Sequence, residues 1–472
     1  MLIRFPLFLA SALLVCAPVQ LRAQSPGSVQ LWLTSADRSS LLTKQDTPIA
    51  FHHNVIQVPT IDIDDTVRYQ RMDGFGFALT GGSAELLMRM SAPARSALLK
   101  EFFAPDAAAG IGVSYLRVSV GSSDMNEHVF TYDDVVPGEQ DPHLKRFSLG
   151  PDLADVVPVL REILAINPKI AILASPWSAP SWMKTNDKAK AGSLRPEFYG
   201  VYAQYLVKYV QTMAAHGIHI VAITPQNEPL NPKNTPSMVM SATEEATFIG
   251  TALGPALRRE HLGTGIIVYD HNCDRPDYPL TILADHKASQ YVIGSGFHLY
   301  EGDVSAMTQV HDAYPAKNIY FTEQMVAEDP KEVPFKIEEK VGRIVVGATR
   351  NWARTVLLWN LAADPNDGPH TSDGGCTVCQ GAVTLDGDKV TRNLAYYTLA
   401  QISKFVRPGS VRIQSSGPRD TDLAEVAFKT PEGKKVLLVT NGPKAAYTFG
   451  VHFKGEQFTS TLGPGDVGTY VW

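Results

Sequence analysis

Eight short runs of apolar, β-branched or aromatic residues recur along the chain, at 74–78, 115–120, 169–177, 220–227, 266–270, 291–300, 319–323 and 355–361. Between them lie longer stretches with apolar residues at helical spacing, at 83–89 with 92–103, 153–165, 196–216, 243–261, 280–288, 304–313 and 336–352. Strands alternating with helices predict βα units, because a crossover helix is what returns the chain to begin the next parallel strand. Eight such units in succession predict a closed barrel. An open doubly wound sheet fits less well, since no glycine-rich phosphate loop follows the first run. At both flanks the pattern changes. Over 29–71 and 411–472, short alternating runs are separated by turn signals such as Pro431-Glu432-Gly433 and Asn441-Gly442, which predict antiparallel strands. The expected fold class is therefore α/β: a (β/α)8 TIM barrel over 72–405 with an attached all-β sandwich formed from both termini, 24–71 and 406–472.

The first residues read differently. Arg4, the apolar run 5–19 and Leu21-Arg22-Ala23 have the order of a secretory signal over 1–23, which predicts a secreted or periplasmic protein whose mature chain begins near Gln24. The run is shorter than the roughly 20 residues a spanning helix needs, and no later stretch is longer, so no stable membrane span is expected. A hydrophobic share of 44% with 19% charged residues suits a packed globular protein. The net charge of −6, from 42 basic and 48 acidic residues, argues against nucleic acid as a partner. Of the four cysteines, Cys273, Cys376 and Cys379 remain after the leader. In an oxidising compartment Cys376-Thr377-Val378-Cys379 is placed to close a small disulfide loop, with Cys273 as a buried thiol. Zinc would require further close ligands, so neither metal nor cofactor is expected.

In a barrel of this kind, chemistry gathers at the carboxyl ends of the strands. The fourth run ends Thr224-Pro225-Gln226-Asn227-Glu228-Pro229 and the seventh ends Tyr320-Phe321-Thr322-Glu323-Gln324. Each delivers a glutamate where a structural design would place a turn former. Two carboxylates facing each other across a barrel mouth suit glycoside hydrolysis, and a separation of about 5–5.5 Å suits the retaining form. Two nearby carboxylates resist double ionisation, so one keeps its proton and serves as acid while the other attacks.

The motifs Gly74-Phe75-Gly76, Tyr115-Leu116-Arg117-Val118, the long Ser175-Pro176-Trp177-Ser178-Ala179-Pro180-Ser181-Trp182 run, Asn227-Glu228-Pro229, Phe297-His298-Leu299-Tyr300, Thr322-Glu323 and Leu358-Trp359-Asn360 together resemble glycoside hydrolase family 30, the family of the glucosylceramidases. The resemblance implies Glu228 as acid/base and Glu323 as nucleophile. It implies that Asn227 meets the sugar 2-hydroxyl and that Arg117 supports the nucleophile, lowering its pKa. Trp177 and Trp359 match aromatic walls of the sugar subsite, Tyr300 a ring near the nucleophile, and His298 is expected in the same wall.

The resemblance first implies a retaining, glucosylceramidase-type β-glucosidase, with a β-glucoside or glucosyl lipid as substrate. One departure favours an alternative. In the run Leu79-Thr80-Gly81-Gly82-Ser83-Ala84, Gly81 stands where lipid-cleaving members are expected to carry an aspartate that grips the outer hydroxyls. Its absence is expected to leave space beside the sugar 6-hydroxyl, as an endo-β-1,6-glucanase acting on β-1,6-glucan requires. Glu301 and Asp303 are the candidates to replace that carboxylate, with a helix cap as the other reading of Asp303. A β-xylosidase and a non-catalytic carbohydrate-binding protein are the remaining readings.

Overall fold

The computed structural model describes residues 27–53, 56–106, 110–328, 335–419 and 421–472; the expected leader lies outside them. The eight apolar runs form eight parallel strands that close on themselves. They are β1 (Gly74–Leu79), β2 (Tyr115–Val120), β3 (Ala171–Pro176), β4 (Ala222–Ile223), β5 (Gly265–Cys273), β6 (Val292–Gly302), β7 (Asn318–Glu323) and β8 (Ala353–Asn360). Tyr115, Leu173, Ala222, Ile267, Tyr320 and Leu357 plug the interior with one buried cluster. The shortest strand is β4. Pro225 has no N–H to give to a ladder, and the chain leaves the sheet there to carry Asn227 and Glu228 over the barrel mouth.

Helices surround the barrel. Side-chain caps fix several starts: Thr80 and Ser91 each accept a backbone N–H, and Ser241 forms a reciprocal capping box with Glu244. The continuous helices expected over 243–261 and 336–352 are each interrupted by a π-helical turn, at Ile249–Leu253 and Val341–Val346. One helix, Leu394–Ser403, falls in a segment where the sequence pattern predicts none. Nine of its ten residues are buried, so it has no polar face to produce a helical period.

Both termini build one nine-stranded sheet. From one edge to the other its order is Glu456–Leu462, Tyr447–Phe453, Thr60–Arg71, Val411–Ser416, Ala424–Lys429, Lys435–Thr440, Val467–Val471, Gln30–Thr34 and Thr43–Lys44. Phe458 and Tyr470 lie six strand spacings apart in that order, roughly 29 Å on a flat sheet. Their rings are 5.6 Å apart, so the sheet rolls over into two layers around its own core. Along the middle strands, successive residues alternate between two cores: Val426, Phe428, Val436 and Leu438 pack with the barrel, while Ala427, Leu437 and Val439 pack inside the sandwich. Among the described residues no helix is long and apolar enough to cross a membrane.

Candidate active site

Side chains alternate across a strand, so the residue two beyond each interior plug residue points inward one layer higher. Arg117 stands in that position above Tyr115, Ser175 above Leu173 and Trp359 above Leu357. That layer is polar. Arg117 is fully buried and its guanidinium is the hub: Nη1 donates to Glu323 Oε2 (2.5 Å), Nη2 to Asn227 Oδ1 (2.6 Å) and Asp270 Oδ2 (2.8 Å), and Nε to Ser175 Oγ (3.2 Å). The same group lies 4.9 Å from the Trp177 ring centre. Trp177 and Trp359 face each other with ring centres 5.3 Å apart.

Two further contacts fix the carboxylates. The Tyr300 hydroxyl donates to Glu323 Oε1 (2.9 Å) and accepts the Met325 N–H (3.0 Å). Asn231 Nδ2 donates to Glu228 Oε2 (2.7 Å). Glu228 has φ +45°, and its N–H donates to the Asp270 carbonyl. Tyr269 and Asp270 also have positive φ, at 76° and 52°. Such backbone costs free energy in residues with a Cβ, and it is held here by tertiary contacts: buried Glu245 accepts the Tyr269 N–H (3.1 Å).

His298 is placed differently from the expected sugar wall. It is fully buried between Asp270, whose Oδ1 is 3.1 Å from Nε2, and Glu228, whose Oε1 is 3.1 Å from Nδ1; Glu323 Oε1 is 3.8 Å from Nδ1. Burial alone would lower the imidazole pKa, but Glu323, Asp270 and Glu228 outweigh it and push His298 up to about 9. With both nitrogens protonated, each donates to a carboxylate. Asp270 is held well below the usual carboxylate range in spite of burial, by Arg117 and His298.

Three carboxylates thus share two cations. Burial opposes ionisation of Glu228, yet the His298 contact prevails and holds it at about 2. Glu323 is raised by burial and by the Glu228 charge, against the pull of His298 and Arg117. This order reverses the expectation of a raised Glu228 beside a lowered Glu323. The reason is His298, whose charge sits closer to Glu228 than to Glu323.

A hollow of about 510 Å³ opens above this layer, lined by Trp177, Asn227, Glu228, Tyr300, Glu323 and Trp359 among others. Arg117 and His298 lie behind that lining: His298 reaches it through Glu228 and Glu323, and Arg117 through Glu323, Asn227 and Trp177. The buried Trp177 indole N–H has no partner among the described residues, which leaves it available to a sugar hydroxyl. The space expected beside Gly81 is filled: a Cβ there would stand 1.9 Å from Asn126 Nδ2, so the Asn126 amide occupies it. Nor is a carboxylate missing. Asp124 lines the hollow and is pushed up to about 8, first by burial and then by the charges of Glu323 and Glu228. Glu301 lines the hollow as well, whereas Asp303 accepts the N–H and hydroxyl of Ser305, the first residue of the helix Ser305–Ala313, whose N-cap position is Val304.

Sequence reasoning missed Asp124 and Asp270. Asp270 carries the signal that identified the two glutamates, an acid at the end of a strand run. Asp124 follows β2 in a Ser-Ser-Asp stretch that resembles an ordinary turn. Glu228, His298 and Glu323 also bring potential metal ligands within 4.8 Å of one another.

The chain matches the TIM-barrel domain of glycosyl hydrolase family 30 over residues 72–406 and the beta sandwich domain of that family over 409–470. It is 34% identical over 405 residues to the endo-1,6-beta-D-glucanase neg1 of Aspergillus fumigatus, covering 81% of this chain and 80% of that one. It superposes on the solved endo-beta1,6-glucanase BT3312 with a TM-score of 0.86 and 33% identity, covering 95% and 99% of the two chains. The lysosomal acid glucosylceramidase of Mus musculus is 27% identical over 431 residues, covering 86% and 82%.

Proposed function

Since the chain belongs to glycosyl hydrolase family 30, we propose that it is an exported endo-β-1,6-glucanase that retains configuration, with Glu323 as nucleophile and Glu228 as acid/base. The observation that carries the chemistry is the pairing at the barrel mouth. An oxygen of Glu228 and one of Glu323 lie within 4.8 Å, nearer the spacing of retaining glycosidases, about 5–5.5 Å, than the 6.5–9.5 Å that leaves room for an attacking water.

In the first step a Glu323 oxygen bonds to the anomeric carbon, the glycosidic C–O bond breaks, and the leaving oxygen takes the Glu228 proton. In the second, Glu228 takes a proton from water, the hydroxyl bonds to the anomeric carbon and the Glu323 ester is released. The acid proton has a local source. His298 Nδ1 lies 3.1 Å from Glu228 Oε1, and once bound sugar displaces water and raises the Glu228 carboxyl from about 2, a transfer along that contact leaves Glu228 protonated and the imidazole neutral. Arg117 cannot lose its proton, so Glu323 keeps a cation at 2.5 Å and stays the ionised partner. Asn227, itself held by Arg117, and the free Trp177 N–H face the sugar hydroxyls.

The choice of β-1,6-glucan over a glucosyl lipid rests on the relatives, since the Gly81 argument for it fails where Asn126 fills the space. Replacing Glu323 with Gly is expected to abolish turnover of an aryl β-glucoside; retained turnover would sink the catalytic assignment. Early product NMR should show the β anomer first, and release from β-1,6-linked glucan should exceed release from glucosylceramide. Export rests on the expected leader. Mass spectrometry of protein collected outside the cytoplasm should find the amino terminus at Gln24.

A further inference from the structure

The loop after β8 returns across the rim of the hollow, and the chemistry above makes no use of it. It is tied to three other loops. Thr371 N–H donates to the Asp124 carbonyl (2.9 Å) and Thr371 Oγ1 to the Thr235 carbonyl (2.8 Å), while Asp373 pairs with Lys190 (2.8 Å). Gly374, at φ +78°, passes so close to Lys233 that a Cβ would stand 2.4 Å from its carbonyl oxygen. The far side is anchored to the barrel, where Asn360 Nδ2, next to Trp359, donates to the Cys379 carbonyl (2.8 Å).

The loop tip is a ring closed by a Cys376–Cys379 disulfide. Both sulfurs rest on Met325 Sδ, at 3.9 and 3.4 Å, and join the apolar cluster that includes Trp177 and Trp359. Cys376, Val378 and Cys379 line the same hollow as Glu228 and Glu323. Val378 is 56% exposed, an uncovered apolar side chain on a rim that is otherwise rich in polar groups.

We infer that this ring is a ledge that binds a glucosyl unit next to the one whose bond is cut. The inference rests on the β-1,6-glucan reading, because internal cleavage requires sugars on both sides of the scissile bond and the rim must meet a neighbour. A pyranose presents a C–H face as well as hydroxyl edges, and Val378 offers that face an apolar surface. Because the ring is already closed and tied down, little order has to be imposed on it when the chain binds.

Calorimetry tests the ledge on the Glu323→Gln protein, which binds without turnover, against the same protein carrying Val378→Asp. Affinity for a β-1,6-linked glucotetraose is expected to fall about tenfold, and affinity for glucose by less than about twofold. Equal tetrasaccharide affinity in the two proteins overturns the ledge. So do equal losses at both lengths, which indicate a disturbed pocket. Cys376→Ser/Cys379→Ser, with an unchanged Tm, should reproduce the length-dependent loss with Val378 intact; unchanged binding overturns the role of ring closure. Failure of the underlying reading looks different: the native protein then releases nothing from β-1,6-linked glucan, and the tetrasaccharide binds no tighter than glucose.

Discussion

His298 links Glu228 and Asp270, with one ring nitrogen 3.1 Å from a carboxylate oxygen of each. Its folded pKa of about 9 lies above the ordinary 6.5, so its contribution to stability is fully present below pH 6.5 and is lost as pH rises through about 9. The difference in stability between the native protein and His298→Asn should therefore be on the order of 2–3 kcal/mol at pH 6 and shrink towards pH 9. Thermal melts across that range measure it, and a difference that stays constant with pH would show that the imidazole is uncharged throughout. At this scale the sequence made the glutamates legible, because each follows an apolar strand run at a place where catalytic groups collect. Of the groups behind them, the family resemblance implied Arg117 beside Glu323 but not His298 between Glu228 and Asp270. Arg117 and His298 belong to strands far apart in sequence, and only closure of the barrel brings both onto the same carboxylates. Gly81 shows the same limit: a missing side chain reads as space in a sequence, yet Asn126 arrives from another loop to fill it.

Strands were easier to read than the ends of strands. Each of the eight is buried on both faces and so appears as a short continuous apolar run between helical periods. Functional geometry begins where those runs stop. Pro225 ends β4 early, and Glu228, Tyr269 and Asp270 take left-handed backbone that no periodicity predicts. Such conformations persist because surrounding contacts fix them, Glu245 on the Tyr269 N–H being one. Helices were legible through their amphipathic spacing, and the one that escaped, Leu394–Ser403, escaped because it is buried nearly all round. The Cys376–Cys379 ring was legible as a pairing from its spacing. That it lies on the rim of the active-site hollow was not, since its anchors Asp124, Lys190, Thr235 and Asn360 come from four different parts of the barrel.

The barrel and the sandwich share a core. Val426, Phe428, Val436, Leu438 and Val467 belong to the same buried cluster as the barrel helices, and Gln401 Nε2 donates to Thr34 Oγ1 and Arg350 pairs with Glu425 across the join. A chain ending at residue 405 would expose that apolar face, at a cost of about 25 cal/mol for each Å² uncovered. It is expected to accumulate in the insoluble fraction, whereas the full chain should melt in one calorimetric transition; a soluble, active barrel would show the two parts to be independent. The sequence by itself determined the class of fold, the contribution of both termini to one sheet, and the two glutamates, because burial and strand ends leave local marks of composition and period. Tertiary structure alone decided the direction in which each of those glutamates is shifted, the filling of the place beside Gly81, and the surroundings of the disulfide ring. Those depend on distances between groups that are remote along the chain, and electrostatic and packing energies are set by distance in space.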